Sequence, residues 1–221
     1  MSGRYSNGET KVRPGIYFRE ENGGGAELSG AANGVVAVAF KANWGPLGEV
    51  VTLESPAEIP GYFGDDSGEG SNVSILEKIF LGGASTIKAV RVGSGGTKAT
   101  TKLKDTTTST AVEVVSLTAK YAGTRALSVT IKDSLSDTTK RECIIYSGTK
   151  ELSKVTFAKG DSGEVDALVA AINANAECVV TAAKLAAGNG VLATATQAAF
   201  ATAGVSPTIA NADYSAAFDV L

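Results

Sequence analysis

Apolar and polar positions along the chain change period several times, and each change predicts an element. Lys11 to Glu20 alternates as an exposed strand would. Gly34 to Phe40 is almost uninterrupted apolar sequence, the pattern of a central strand covered on both faces. Glu49 to Leu53 reads as a short extended piece. Ser55, Pro56 and Glu58 then have the spacing of an N-cap, a first helical residue and a capping-box acid, although Pro60 and Gly61 interrupt that helix almost at once. Val73, Leu76, Ile79 and Phe80 form one helical stripe that Gly82 and Gly83 terminate, and Ser85 to Val92 returns as a strand carrying Ile87 and Val90.

Composition shifts at Gly93 to Thr110, where Gly, Thr and Lys replace aliphatics; this stretch reads as a β-prone linker and a boundary. Beyond it, Ala111 to Leu117, Leu127 to Lys132, Arg141 to Tyr146 and Leu152 to Ala158 have strand composition. One amphipathic helix interrupts them. Asp161 and Glu164 stand at capping-box spacing ahead of its apolar face, Val165, Leu168, Val169 and Ile172. Cys178 to Ala182 and Val191 to Thr196 predict two further strands. At the end, Asn211 is placed to cap a helix with Tyr214, Ala217, Phe218 and Leu221 on one stripe, and the stripe is still being laid down at the last residue. A helix that short needs a surface to pack on, which leads to the expectation of a fragment of a longer protein. The fold class expected is α+β: a partial α/β domain with a β-rich, sandwich-like domain carrying one helix.

Composition narrows the chemistry. The 221 residues include no histidine, which excludes a Ser-His triad, a Cys-His pair and a histidine zinc site. The net charge of −3 is spread thinly, with no basic stripe to follow a phosphate backbone, so nucleic acid is not an expected partner. No apolar run reaches the ~20 residues that cross a bilayer, and Met1 to Arg4 leads into polar sequence, so neither membrane insertion nor secretion is expected. Cys143 and Cys178 sit among strand-like apolar residues and read as buried free thiols. Gly93 to Lys98, GSGGTK, lacks the ending of a phosphate loop. Gly64 to Asn72 resembles a calcium loop, but the twelfth position from Asp65 is Leu76 rather than glutamate. No carboxylate pair stands out. The expectation is a non-enzyme with no catalytic residues, no metal and no cofactor.

Three stretches in order, VRPGIYFRE, GVVAVAFKANWGPLGEVVTLESPAEIPGYFG and LGGASTIKAVRVG, resemble the N-terminal half of tail sheath proteins from contractile phage tails and related R-type tailocins. The resemblance covers Val12 to Gly93 and resumes in AKYAGTRALSVTI, Ala119 to Ile131, where Ala126 and Leu127 replace a Gly-Asn pair often found in that family. It implies a partial α/β sheath domain with an inserted outer β domain. Residues 1–33 are then an arm and hinge, 34–97 the first part of the core domain, 98–210 the inserted domain, and 211–221 the return into the core. It also implies other sheath subunits as partners in stacked, hexameric rings, a tail tube and a baseplate in the full particle, assembly in a bacterial cytoplasm and a place in the virion tail of a phage, tailocin or defective prophage.

Under that resemblance Gly15, Ile16, Tyr17, Phe18 and Arg19 are an intersubunit strand, and Gly23, Gly24 and Gly25 the hinge that lets joined subunits move. Trp44, the only tryptophan, lies in a turn that Gly45, Pro46 and Gly48 reverse tightly. Trp44 and Pro46 are read there as a plug over the end of the sheet, with an intersubunit hot spot as the alternative. The rival function is a glycan- or receptor-binding β module on an α/β mount, although Tyr121, Tyr146 and Phe157 are isolated and make no aromatic platform in the sequence. A carboxylate-based α/β enzyme ranks below both.

Overall fold

A computed structural model describes residues 34–65, 71–160 and 163–221. The first layer is a three-stranded sheet in which β1 (Val35–Phe40) pairs parallel with β3 (Thr86–Arg91), and β2 (Val50–Leu53) pairs antiparallel with β3 on its other side. The β2-to-β3 connection begins with a 3-10 turn, Pro56–Glu58, where the Ala57 N–H donates to Ser55 Oγ at 3.2 Å. The Glu58 carboxylate reaches back one residue further than a capping box would, accepting from the Glu54 N–H at 2.9 Å. The single turn α1 (Ile59–Tyr62) follows, as short as Pro60 and Gly61 require, and then α2 (Ser74–Leu81). Leu76 and Val73 are fully buried with Phe40, Leu53, Ile59, Phe63 and Ile87, so one core lies between this sheet and its helices.

The β-rich part contains two antiparallel sheets. One has the order β10-β6-β7-β8, with β6 Ser128–Asp133, β7 Lys140–Ser147, β8 Lys150–Ala158 and β10 Ala195–Ala199; the other is β4-β5-β9, with β4 Thr100–Lys104, β5 Glu113–Ala119 and β9 Val180–Lys184. Alternation along β8 sends Ser153, Val155 and Phe157 inward and Lys154 and Thr156 outward. The helix α3 (Glu164–Ala174) lies against β8, β9 and β5 and inserts Val165, Leu168 and Ile172 into the core the two sheets share. This arrangement is a sandwich with one amphipathic helix, and the fold is α+β.

Several elements differ from the pattern-based reading. Val35 is 41% exposed, and among the described residues β1 pairs only with β3; it is an edge strand, and β3 is the central one. An apolar run of that length is equally suited to either place, and only pairing decides which it takes. The stretch read as linker contributes β4, whose Thr101 and Leu103 face the core while Lys102 and Lys104 face out. Its neighbours Ser94 and Thr97 also bridge to Thr208 and Val205. Glu164 is the first residue of α3 rather than a third-position cap, and Asp161 lies outside the described residues. The Glu164 carboxylate is buried: Arg141 Nη1 donates to it at 2.8 Å and the Leu192 N–H at 2.9 Å. Arg141 Nε lies 3.2 Å from Asp133 but out of line for a hydrogen bond, so Glu164 is its principal partner. At the end, α4 (Asn211–Val220) starts one residue early, with the Ala210 N–H donating to Asp213 at 2.7 Å. Of its expected stripe only Ala217 is fully buried, against Val90 and Val92, while Phe218 is 61% exposed.

Candidate assembly site

The turn after β1 is where the two cores meet. Phe40 and Ala42 pack into the core of the three-stranded sheet, and two residues later Trp44 packs into the core of the sandwich. The ring is 1% exposed and meets Tyr121 edge-on, with centroids 5.4 Å apart and planes at 81°. The Arg125 guanidinium carbon stands 5.4 Å from the ring centroid, within cation–π range. Gly45 allows the reversal: its φ is +109°, and a Cβ there would come within 2.6 Å of the Tyr62 carbonyl oxygen. Pro46 is buried beside it, and the Gly48 N–H donates to the Arg91 carbonyl at 3.0 Å, closing the turn onto the end of β3.

Arg91 holds this turn from below. Its side chain is 1% exposed and donates from Nε to the Ala42 carbonyl at 2.9 Å and from Nη1 to the Gly45 and Ala122 carbonyls, each at 2.8 Å. Three backbone acceptors from two segments converge on one cation, and burial pushes its pKa down to about 10. Gly123 completes the contact from the sandwich side, since a Cβ at that position would run into the Asn43 carbonyl. Burial lowers the Arg125 pKa as well, with the charge of Asp65 opposing the shift. Burial raises that of Tyr121, assisted by Glu49 and Tyr62.

The structure therefore places Trp44 and Pro46 together inside this chain's own core. Gly15, Ile16, Tyr17, Phe18, Arg19, Gly23, Gly24 and Gly25 lie outside the described residues. Arg91, Gly123 and Arg125, not singled out from the sequence, complete the joint together with Tyr121, which the sequence left as an isolated aromatic and the structure sets against Trp44. A signal existed for one of them, because Arg91 is a cation near the end of an otherwise buried strand. For assembly through backbone pairing, the three-stranded sheet presents the outer edges of β1 and β2, which have no second strand partner among the described residues, as β8 and β10, and β4 and β9, end the other two sheets. Val35 and Val50 at the starts of β1 and β2 are both substantially exposed. No described helix is long and apolar enough to cross a membrane.

No family model matches the chain. Solved structures that share its architecture include a sheath tail protein from Listeria innocua, with a TM-score of 0.57, 20% identity and 85% of this chain covered, and one from Desulfitobacterium hafniense, with a TM-score of 0.54, 22% identity and 92% covered. The fold is that of sheath tail proteins. The chain spans 37% and 41% of those two sheath proteins. It is also 24% identical over 161 residues to "Uncharacterized protein YqbK" of Bacillus subtilis (strain 168), covering 72% of this chain and 32% of that relative. Within this fold the Trp44 turn pegs the layer of the three-stranded sheet into the β-rich layer.

Proposed function

We propose that this chain is a structural subunit of a contractile tail sheath, joined to copies of itself in stacked hexameric rings around a tail tube, above a baseplate. The observation that carries this reading is the sheath fold extending over most of the chain, from the three-stranded sheet through the sandwich. The mechanism needs no ligand or nucleotide, because the energy of contraction is stored in a metastable extended assembly. Neighbours must stay joined while their bodies rotate and slide, which favours links made by extended segments through backbone hydrogen bonds. The open edges of β1 and β2 support that scheme, with Gly15 to Arg19 as the donated strand and Gly23 to Gly25 as its tether.

In the same reading, residues 34–97 begin the core domain, 98–210 form an outward-facing accessory domain, and 211–221 return to the core. Trp44 and Pro46 serve as the joint between them rather than as an intersubunit hot spot. Enclosure of the ring by this chain's own Tyr121 and Arg125 supports that choice. Electron microscopy of the full-length protein tests the reading, with tubes or stacked rings expected. Tyr17→Pro, which removes one backbone donor, should leave subunits folded but unable to stay linked. Failure of the wild type to form tubes or rings counts against the sheath assignment, and normal extended and contracted sheaths from the variant count against strand donation.

A further inference from the structure

Beside the Trp44 joint lies a cavity of about 430 Å³, in the size range of small-molecule sites. Tyr62, Tyr121, Leu152 and Val179 give it apolar walls, and Tyr62 is 46% exposed. A second cavity of about 280 Å³ adjoins it, sharing Glu151, Leu152 and Glu177 and adding the polar side chains of Ser153, Lys154 and Asn175. Together they make a groove beside the first half of β8, aromatic at one end and polar at the other. Its charges balance: Lys120 and Lys150 stand against Glu151 and Glu177, Glu142 holds Lys154 at 2.9 Å, and the charge of Asp65 faces Arg125. The exposed side chains of Lys150, Glu151 and Glu177 make no hydrogen bond or ion pair among the described residues. Asn175 Oδ1 accepts from the Glu177 N–H at 3.0 Å, which leaves the Asn175 Nδ2 hydrogens without an acceptor among those residues.

Balanced charge gives an ionic ligand no counter-charge to use. A wholly apolar ligand would cover the free ammonium and carboxylate groups without satisfying them, which costs free energy. A pyranose ring avoids both penalties, because it has an apolar C–H face and a rim of hydroxyls that each donate and accept. We infer that this groove binds a neutral oligosaccharide, with one ring laid on Tyr62 at the aromatic end and the next hydrogen-bonded to Glu151, Asn175 and Glu177 at the polar end. Tyr121 stands alone in the sequence and shares a cavity with Tyr62 only because the layer of the three-stranded sheet meets the sandwich here. The site lies on one subunit and does not depend on sheath assembly.

The test is a titration of the isotope-labelled 221-residue chain with cellobiose, maltose and N,N′-diacetylchitobiose, neutral disaccharides that differ in linkage and substituent, followed through the backbone amide cross-peaks of the groove. Saturable shifts at Tyr62 and Glu177 are expected for at least one of them at millimolar concentration. The corresponding monosaccharide should bind about tenfold or more weakly, because it fills one end alone. Glucuronate and glucosamine, which place a negative or a positive charge on the same ring, should bind no better than glucose. Tyr62→Ala removes the stacking wall from a partly exposed position and should weaken binding about tenfold or more, and Glu177→Ala, at an exposed one, about threefold or more. The unliganded spectrum shows whether each variant is folded; if Tyr62→Ala is not, Glu177→Ala still decides. Groove signals that none of the disaccharides moves, equal affinity for monosaccharide and disaccharide, tighter binding of a charged sugar, or undiminished binding in a folded variant would each overturn the assignment.

Discussion

Replacing Arg91 by methionine removes the cation from the joint while keeping an unbranched side chain that fills the space of the arginine stem. The three carbonyls it now serves would lose that donor, Ala42 and Gly45 in buried surroundings and Ala122 in a half-buried one. Each such loss costs about 1–3 kcal/mol, and release of a desolvated guanidinium offsets part of the total. A net loss of about 3–4 kcal/mol follows, near the upper end for a single substitution. With a urea m-value of about 2.5 kcal/mol/M for a protein of this size, the unfolding midpoint should fall by about 1.5 M. Trp44 fluorescence is the natural probe, because the Gly45 carbonyl that Arg91 holds follows directly on Trp44. Arg91→Lys should recover part of the loss, since an ammonium reaches fewer of the three acceptors at once. A midpoint within about 0.3 M of wild type for Arg91→Met would refute the reasoning. It would mean that the guanidinium's desolvation cost cancels its hydrogen bonds and that the joint is held by packing alone.

Two further outcomes follow from groups away from the joint. Burial works to raise the Asp105 pKa, but hydrogen bonds from the Val112 and Asn189 N–H groups and from the Thr107 hydroxyl and N–H outweigh it and hold the carboxyl at about 2, below its ordinary 3.8. Its folded-state pKa is depressed, so its stabilising contribution is complete above the unfolded value and is lost as pH falls through about 2. Thermal melts between pH 5 and 2 should show that decline, and Asp105→Asn should flatten it; an unchanged slope would show that this loop anchor does not couple to folding. Burial pushes the Cys143 thiol up to about 12, with Cys178 adding to the shift, so Cys143 should resist a thiol reagent in native buffer at pH 8 and react only on unfolding. Rapid labelling of Cys143 in the native protein, located by mass spectrometry, would contradict its enclosure.

Local pattern was enough to determine the elements whose cause is local. The α2 stripe of Val73, Leu76, Ile79 and Phe80, the strand composition of β7 and β8, and the face of α3 are each local signals that any partner surface would satisfy. The glycines and proline of the Trp44 turn likewise announced a reversal. The order of motifs carried the resemblance to sheath proteins, and the sheath fold agrees with it. Tertiary structure alone decided which strand is central. β1 looks more apolar than β3, yet β3 lies between two partners, and hydrogen-bond pairing is set by distant segments. The same holds for Thr100–Lys104, too rich in Thr and Lys to read as a core strand until β5 supplies its ladder and the sandwich takes up Leu103. Glu164 has the composition of a helix cap and becomes a buried ion-pair partner because β7 brings Arg141 to it from 23 residues away. The joint was least legible of all: Arg91 meets carbonyls 49, 46 and 31 residues distant, and a convergence of backbone oxygens leaves no residue-type pattern to read.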